Sequence, residues 1–132
     1  MLAAARGTWV RSATRVLLVE DHPEVARAQA MLLQKIGYEV EVAHDGYEAL
    51  SMARLSRPDI ALLDIGLPGL DGYEVAAALK ADAETSSIRL IALTAYGTPD
   101  DRRRSRELGF EAHLVKPATL DQLRRALEGE QA

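Results

Sequence analysis

Ile60-Ala61-Leu62-Leu63-Asp64 is four apolar residues closed by a carboxylate, and it runs straight into Ile65-Gly66-Leu67-Pro68-Gly69-Leu70-Asp71-Gly72. A continuous apolar run of this length, bounded by Gly and Pro turn residues, reads as a strand buried on both faces, as in a parallel sheet. Two further runs share the design: Val16-Leu17-Leu18-Val19 is closed by Glu20-Asp21, and Leu90-Ile91-Ala92-Leu93 by Thr94. A shorter run, Leu114-Val115, is closed by Lys116. Four strand ends therefore carry carboxylates, a hydroxyl and an amine.

Amphipathic stretches separate these runs, five alternations from Arg15 onward with no internal repeat, which argues for βα units around a parallel sheet. Strands are expected at 15–20, 38–43, 59–64, 89–94 and 112–115, each followed by a helix. Glu39-Val40-Glu41-Val42 alternates charge with apolar residue, so its two faces should differ in exposure and it belongs at an edge. Asp45 with Glu48, Asp71 with Glu74, and Thr119 with Gln122 have the spacing of a capping box. Thr98-Pro99-Asp100-Asp101 reads as a cap, a proline at the first helical position, and acids at the positive end of the helix dipole. The first helix, with Pro23 in its first turn and Gly37 as its stop, is expected to bury Val25, Ala28, Leu32 and Ile36. Right-handed crossovers and an edge second strand predict an α/β, doubly wound parallel sheet in the order 2-1-3-4-5.

The 132 residues, 48% hydrophobic and 27% charged, suit one domain with a sizeable core. Residues 1–14, with Arg6 and Arg11, read as a flexible lead-in or linker, 15–129 as the folded domain, and 130–132 as a tail. A net charge of -4 and a pI of about 5.4 leave no basic field to hold a nucleic-acid backbone or an anionic membrane. No apolar run approaches the roughly 20 residues that span a bilayer. The absence of cysteine removes disulfides and thiolate metal sites, and the cytoplasm is the expected compartment.

Open parallel sheets bind ligands outside the carboxyl ends of their strands, at the point where the connection direction switches. In this order the switch falls between the strands that end in Glu20-Asp21 and Asp64, with Thr94 and Lys116 next along the same edge. Three crowded carboxylates call for a cation or a proton, and carboxylates with backbone carbonyls and waters suit Mg²⁺. A carboxylate beside Mg²⁺ is a competent nucleophile toward phosphorus; Lys116 would neutralise one phosphoryl oxygen and Thr94 would donate a hydrogen bond to another. The set is that of an aspartyl phosphate.

Taken in order, Val19-Glu20-Asp21, Leu62-Leu63-Asp64-Ile65-Gly66-Leu67-Pro68-Gly69-Leu70-Asp71-Gly72, Ala92-Leu93-Thr94-Ala95 and Leu114-Val115-Lys116-Pro117 strongly resemble the receiver domain of bacterial two-component response regulators. The resemblance spans about Arg15 to Glu128 and implies a flavodoxin-like (βα)5 fold. It implies that Asp64 is the phosphoacceptor, supplied by a histidine kinase or a histidine phosphotransfer protein. Asp21 and Asp64 would ligate Mg²⁺ directly, Glu20 would act through a bound water, and the Gly66 carbonyl would be a backbone ligand. Thr94 would be the switch hydroxyl, Lys116 the phosphoryl-binding amine, and the Lys116-Pro117 bond cis. Such a domain is not an enzyme acting on other substrates, although it assists its own phosphorylation and dephosphorylation. The face of helix 4, strand 5 and helix 5 would dock an unnamed downstream protein or a second copy in a homodimer, with Arg103, Glu107, Asp121 and Arg124 as its candidate residues.

Two positions depart from the pattern. The family usually has Tyr or Phe three residues before the lysine, where this chain has His113; Gly66 and Tyr96, two residues after Asp64 and Thr94, are not the amide or acid of fast-hydrolysing members. A comparatively long-lived phosphoform, partly shielded by Tyr96, is expected. The string Gly109 to Pro117 is also similar to receivers attached to hybrid histidine kinases, and the sequence to residue 132 leaves no DNA-binding helix pair to assign, so a stand-alone receiver and a receiver from a larger protein are both read from it.

Each residue has a plainer reading. Asp21 could cap the first helix, Glu20 could be solvated, Asp64 could form a turn, and Lys116 could be a surface lysine. His22, His44 and His113 lack metal-site spacing and are expected to be structural or exposed. A constitutive interaction module would not need all of Glu20, Asp21, Asp64, Thr94 and Lys116. A small hydrolase would need a water-activating base at Gly66 or Tyr96, and a flavin site would need a phosphate-cradling glycine loop after the first strand.

Overall fold

A computed structural model of the chain describes residues 13–129, so the lead-in expected before them and the tail after them lie outside the described residues, apart from Ala13 and Thr14. In chain order the elements are β1 (Arg15–Val19), α1 (Pro23–Lys35), β2 (Glu39–Ala43), α2 (Gly46–Ser56), β3 (Ile60–Asp64), α3 (Gly72–Ala81), β4 (Arg89–Thr94), α4 (Pro99–Glu107), β5 (Phe110–Val115) and α5 (Leu120–Leu127). Among these residues the strands form one parallel sheet in the order β2-β1-β3-β4-β5, the flavodoxin-like arrangement expected. β3 is buried along its whole length, whereas β2 alternates exposed Glu39 and Glu41 with half-buried Val40 and Val42 at the edge.

Period-two alternation divides the core into two layers. Val16, Leu18, Ile60, Leu62, Ile91 and Leu93 face α1 and α5. Leu17, Val19, Leu63, Leu90 and Ala92 face α2 and α3. No helix among the described residues is long and apolar enough to cross a membrane.

Caps set the helix starts largely as their spacing predicts. Asp71 with Glu74, Thr98 with Asp101, and Thr119 with Gln122 each form a reciprocal capping box. At α2 only half of the expected box forms: Asp45 accepts from Glu48 N–H, but the Glu48 carboxylate reaches one residue further back, to His44 N–H at 2.7 Å. Gly37 ends α1 as expected, with φ 103° and Gly37 and Tyr38 N–H donating to Gln34 and Leu33 carbonyls, a Schellman closure.

The buried face of α1 is a correction. Ala26, Ala30 and Leu33 pack on the sheet, Ile36 is half-buried, and Val25, Ala28 and Leu32 face outward. Val25 and Leu32 are 42% and 41% exposed. Both sets of positions recur at helical spacing; small alanines permit a close approach to the sheet that Val and Leu at the same positions would prevent. A second correction is that β5 starts at Phe110 rather than 112. Phe110 is buried, and a register shift opposite Leu90 and Ile91 leaves Glu111 as the extra residue of a bulge, where it pairs with Arg89 at 2.9 Å.

Candidate functional site

The strand ends of β1, β3 and β4 lie side by side because parallel pairing puts Val19 beside Leu63 and Asp64 beside Leu93. Backbone hydrogen bonds carry the ladder one residue past the strands: Glu20 N–H donates to Ala43 O, Ile65 N–H to Leu93 O, and Lys116 N–H to Thr94 O at 2.7 Å. Glu20, Asp64, Thr94 and Lys116 are thus launched from an anchored backbone rather than a free loop. The Lys116-Pro117 bond is cis, in keeping with the resemblance.

Lys116 is the centre of the arrangement. Its Nζ lies 3.1 Å from Asp64 Oδ2 and 3.3 Å from Glu20 Oε1. Glu20 is only 1% exposed, so it is not the solvated carboxylate of the plainer reading, and Asp64 is 6% exposed. Lys116 is 30% exposed; burial pulls its proton affinity down, but the hydrogen bond and charge of Asp64, joined by Glu20, outweigh burial and hold it above the ordinary lysine value. Gly66 N–H donates to Asp64 Oδ1 at 3.0 Å, fixing the other carboxylate oxygen. The α3 start closes over this corner: a Cβ on Gly72 would lie 2.7 Å from both Asp64 O and Ile65 Cα.

Asp21 does not cap α1. The N-cap position is His22, whose side chain makes no capping bond. Asp21 Oδ1 is instead a buried oxygen that accepts no hydrogen bond, although His22 Nδ1 lies 3.4 Å away. An orphaned carboxylate oxygen next to the buried Glu20 carboxylate is what a hard cation would satisfy, so these oxygen donors fit magnesium, although Asp64 is not among the groups that converge within this corner. Sequence reasoning set His22 apart from this group, yet its Nδ1 lies 3.2 Å from Glu20 Oε2, and Glu20, Asp21 and His22 can bring donor atoms within 4.8 Å of one another. Adjacency in sequence was the available signal; the ring turning back over the acids depends on the β1–α1 corner.

Thr94 is buried, and its Oγ1 accepts from Tyr96 N–H at 3.1 Å. His113 is bonded at both nitrogens: Nε2 lies 2.9 Å from Tyr96 O and Nδ1 2.7 Å from Ser105 Oγ. Ser105 and Arg102, which donates to the Gly97 and His113 carbonyls, went unnoticed in the sequence because a serine and an arginine in a charged helix carry no distinguishing pattern. The groove between α4 and α5 encloses about 310 Å³ and is lined by Arg102, Arg106, Asp121 and Arg125 beside His113 and Ser105. Of the four residues expected on this face, only Asp121 lines the groove. Arg103 and Arg124 are paired along their own helices with Asp100 and Asp121.

Residues 16–128 match the response regulator receiver domain family. The chain is 36% identical over 114 residues to sporulation initiation phosphotransferase F of Bacillus subtilis, covering 86% of this chain and 90% of that protein. Chemotaxis protein CheY4 of Vibrio cholerae superposes with a TM-score of 0.83 at 30% identity, over 88% of this chain and 97% of that one. The receiver domain of a Pseudomonas aeruginosa sensor histidine kinase, whose structure has magnesium coordinated in the active site cleft, superposes with a TM-score of 0.80 at 34% identity, over 88% and 95%. Other relatives are longer, and the chain spans 13% and 42% of two of them. Matching motifs, strand order and acidic cleft agree: the chain belongs to the response regulator receiver domain family of two-component signalling.

Proposed function

We propose that this receiver accepts a phosphoryl group from a phosphohistidine onto Asp64, in a two-component phosphorelay. The observation that carries the reading is a nearly buried Asp64 whose oxygens are both held, one by Gly66 N–H and one by the Lys116 ammonium, with Glu20 on the same ammonium. In the transfer an Asp64 oxygen forms a bond to phosphorus as the P–N bond of the donor histidine breaks, and the donor imidazole keeps the electron pair. Lys116 would move from the free carboxylate to a phosphoryl oxygen, retaining its charge, a shift supported by its 3.1 Å contact with Asp64 Oδ2. Thr94 still has its hydroxyl proton to donate, since its oxygen only accepts from Tyr96 N–H.

Glu20, Asp21, Asp64 and the Gly66 carbonyl would hold magnesium, which when bound neutralises negative charge on the transferring group. The donor would be a histidine kinase or a histidine phosphotransfer protein. Output would be a change in affinity of the α4–β5–α5 face for a downstream protein or for a second copy of the chain. Tyr96 is 68% exposed, so any shielding of the phosphoryl group by its ring would require the ring to fold inward.

The test is incubation with Mg²⁺ and a small phosphodonor, beside an Asp64→Asn variant. Gain of one acid-labile phosphoryl group that depends on Asp64 is expected. No modification, together with no beryllofluoride binding, would overturn the reading.

A further inference from the structure

α4 is anchored in an unusual way. Of its nine residues only Ser105 is buried, at 1% exposure, and its remaining positions are Pro99, Asp100, Asp101, four arginines and Glu107. A helix normally holds its place through an apolar stripe, and this one has none. Besides its C-terminal neighbour Leu108, which packs against the core, and Arg104 stacked 4.1 Å over the Tyr73 ring, its attachment to β5 is polar. The Ser105 hydroxyl meets His113 Nδ1 at 2.7 Å.

The same imidazole reaches the other way. A carbonyl can only accept, so His113 Nε2 carries the proton donated to Tyr96 O, and in that Nε2–H tautomer Nδ1 is the acceptor for the Ser105 hydroxyl. Tyr96 N–H is in turn bound to Thr94 Oγ1 at 3.1 Å. Register places His113 beside Ala92, two residues before Thr94, so His113 and Thr94 share a face of the sheet. Hydrogen bonds joined by the Tyr96 backbone therefore lead from the Thr94 hydroxyl to Tyr96 N–H, and from Tyr96 O through the His113 ring to the only buried residue of α4. The loop between them is pressed on β5, since a Cβ on Gly97 would lie 2.6 Å from Val115 Cγ2, and Arg102 ties Gly97 O to His113 O.

We propose that Thr94, the Tyr96 backbone, His113 and Ser105 form a polar relay that holds α4 in its resting position and releases it when Asp64 is phosphorylated. This rests on the phosphoacceptor reading above. A Thr94 hydroxyl drawn toward a group on Asp64 either leaves Tyr96 N–H or pulls the Tyr96 carbonyl from His113. Either event costs the relay a link, and the ring no longer presents Nδ1 to Ser105. His113 and Ser105 are positioning residues: they act on the site through Tyr96 and on partners through α4, whose groove they line. The imidazole thus replaces aromatic packing by directional bonds, which are lost over a shorter displacement.

The experiment follows the His113 ring by long-range proton–nitrogen NMR, while ¹⁹F NMR reports independently on formation of the beryllofluoride complex with Mg²⁺. In the free protein the Nε2–H tautomer is expected, and complex formation should shift the His113 ring and Tyr96 amide signals together. Ser105→Ala and His113→Phe each remove a link that holds the resting state, and the fluoride complex should then form about fivefold more tightly, the worth of one hydrogen bond. In Ser105→Ala the Nε2–H tautomer should persist, because Tyr96 O still holds it, while the Nδ1 resonance moves to that of a ring nitrogen with no hydrogen bond, a change that simple repacking would not produce. A complex that forms while His113 and Tyr96 remain unmoved would overturn the relay and leave the phosphoacceptor reading standing, as would unchanged fluoride affinity in both variants. No bound fluoride signal in the wild type would sink the phosphoacceptor reading, and the relay's trigger with it.

Discussion

Replacing Lys116 with Gln removes the cation that Asp64 and Glu20 share at 3.1 and 3.3 Å while keeping similar bulk. Two nearly buried carboxylates are then left facing each other. Removing one partner of a buried ion pair costs about 3–5 kcal/mol, and because Lys116 is 30% exposed, solvent screening brings the expected loss to about 2 kcal/mol. For a domain of this size that lowers the melting temperature by roughly 6–10 °C near neutral pH without magnesium. Two further arms identify the cause. Asp64→Asn added to Lys116→Gln should shrink the deficit, because a neutral amide no longer repels Glu20. Millimolar magnesium should raise the melting temperature more in Lys116→Gln than in the wild type, since the ammonium no longer competes for the same oxygens and a ligand of the folded state stabilises by mass action. Thermal denaturation followed by circular dichroism reads all three. A variant that melts with the wild type, or whose deficit ignores both Asp64→Asn and magnesium, would refute the idea that Lys116 balances buried charge here.

Gly72→Ala forces a methyl to within 2.7 Å of Asp64 O and Ile65 Cα, and should cost about 1–3 kcal/mol in urea denaturation. Leu33→Ala should cost about 2–5 kcal/mol because Leu33 is fully buried, whereas Leu32→Ala on the outward face should stay within about 0.5 kcal/mol; equal losses would contradict the observed orientation of α1. The raised proton affinity of Lys116 makes its contribution complete below the ordinary lysine value of 10.5 and lost as pH rises through the higher value in the folded protein. Denaturation midpoints should therefore show an alkaline decline above that pH whose Lys116 component is missing from Lys116→Gln.

Much of this molecule is legible in the chain. Continuous apolar runs mark β1, β3 and β4, the alternating run marks the β2 edge, and the capping pairs at Asp71, Thr98 and Thr119 place three helix starts to the residue. These signals are local, because a strand buried on both faces cannot spare polar positions and a helix end needs its own cap. The convergence of Glu20, Asp64 and Lys116 follows from strand order, and strand order from crossover handedness.

What tertiary structure decided lies where two sequence patterns are equally periodic or where a partner is distant in the chain. Only the closeness of sheet and helix selects Ala26, Ala30 and Leu33 over Val25, Ala28 and Leu32 as the face of α1. The bulge at Glu111 is set by Phe110 seeking the core and Arg89 seeking a carboxylate on the next strand. The roles of Ser105 and His113 were decided last. One hydroxyl among charged residues becomes the anchor of α4 only when β5 brings an imidazole to 2.7 Å, because a hydrogen bond depends on distance and direction that no composition encodes.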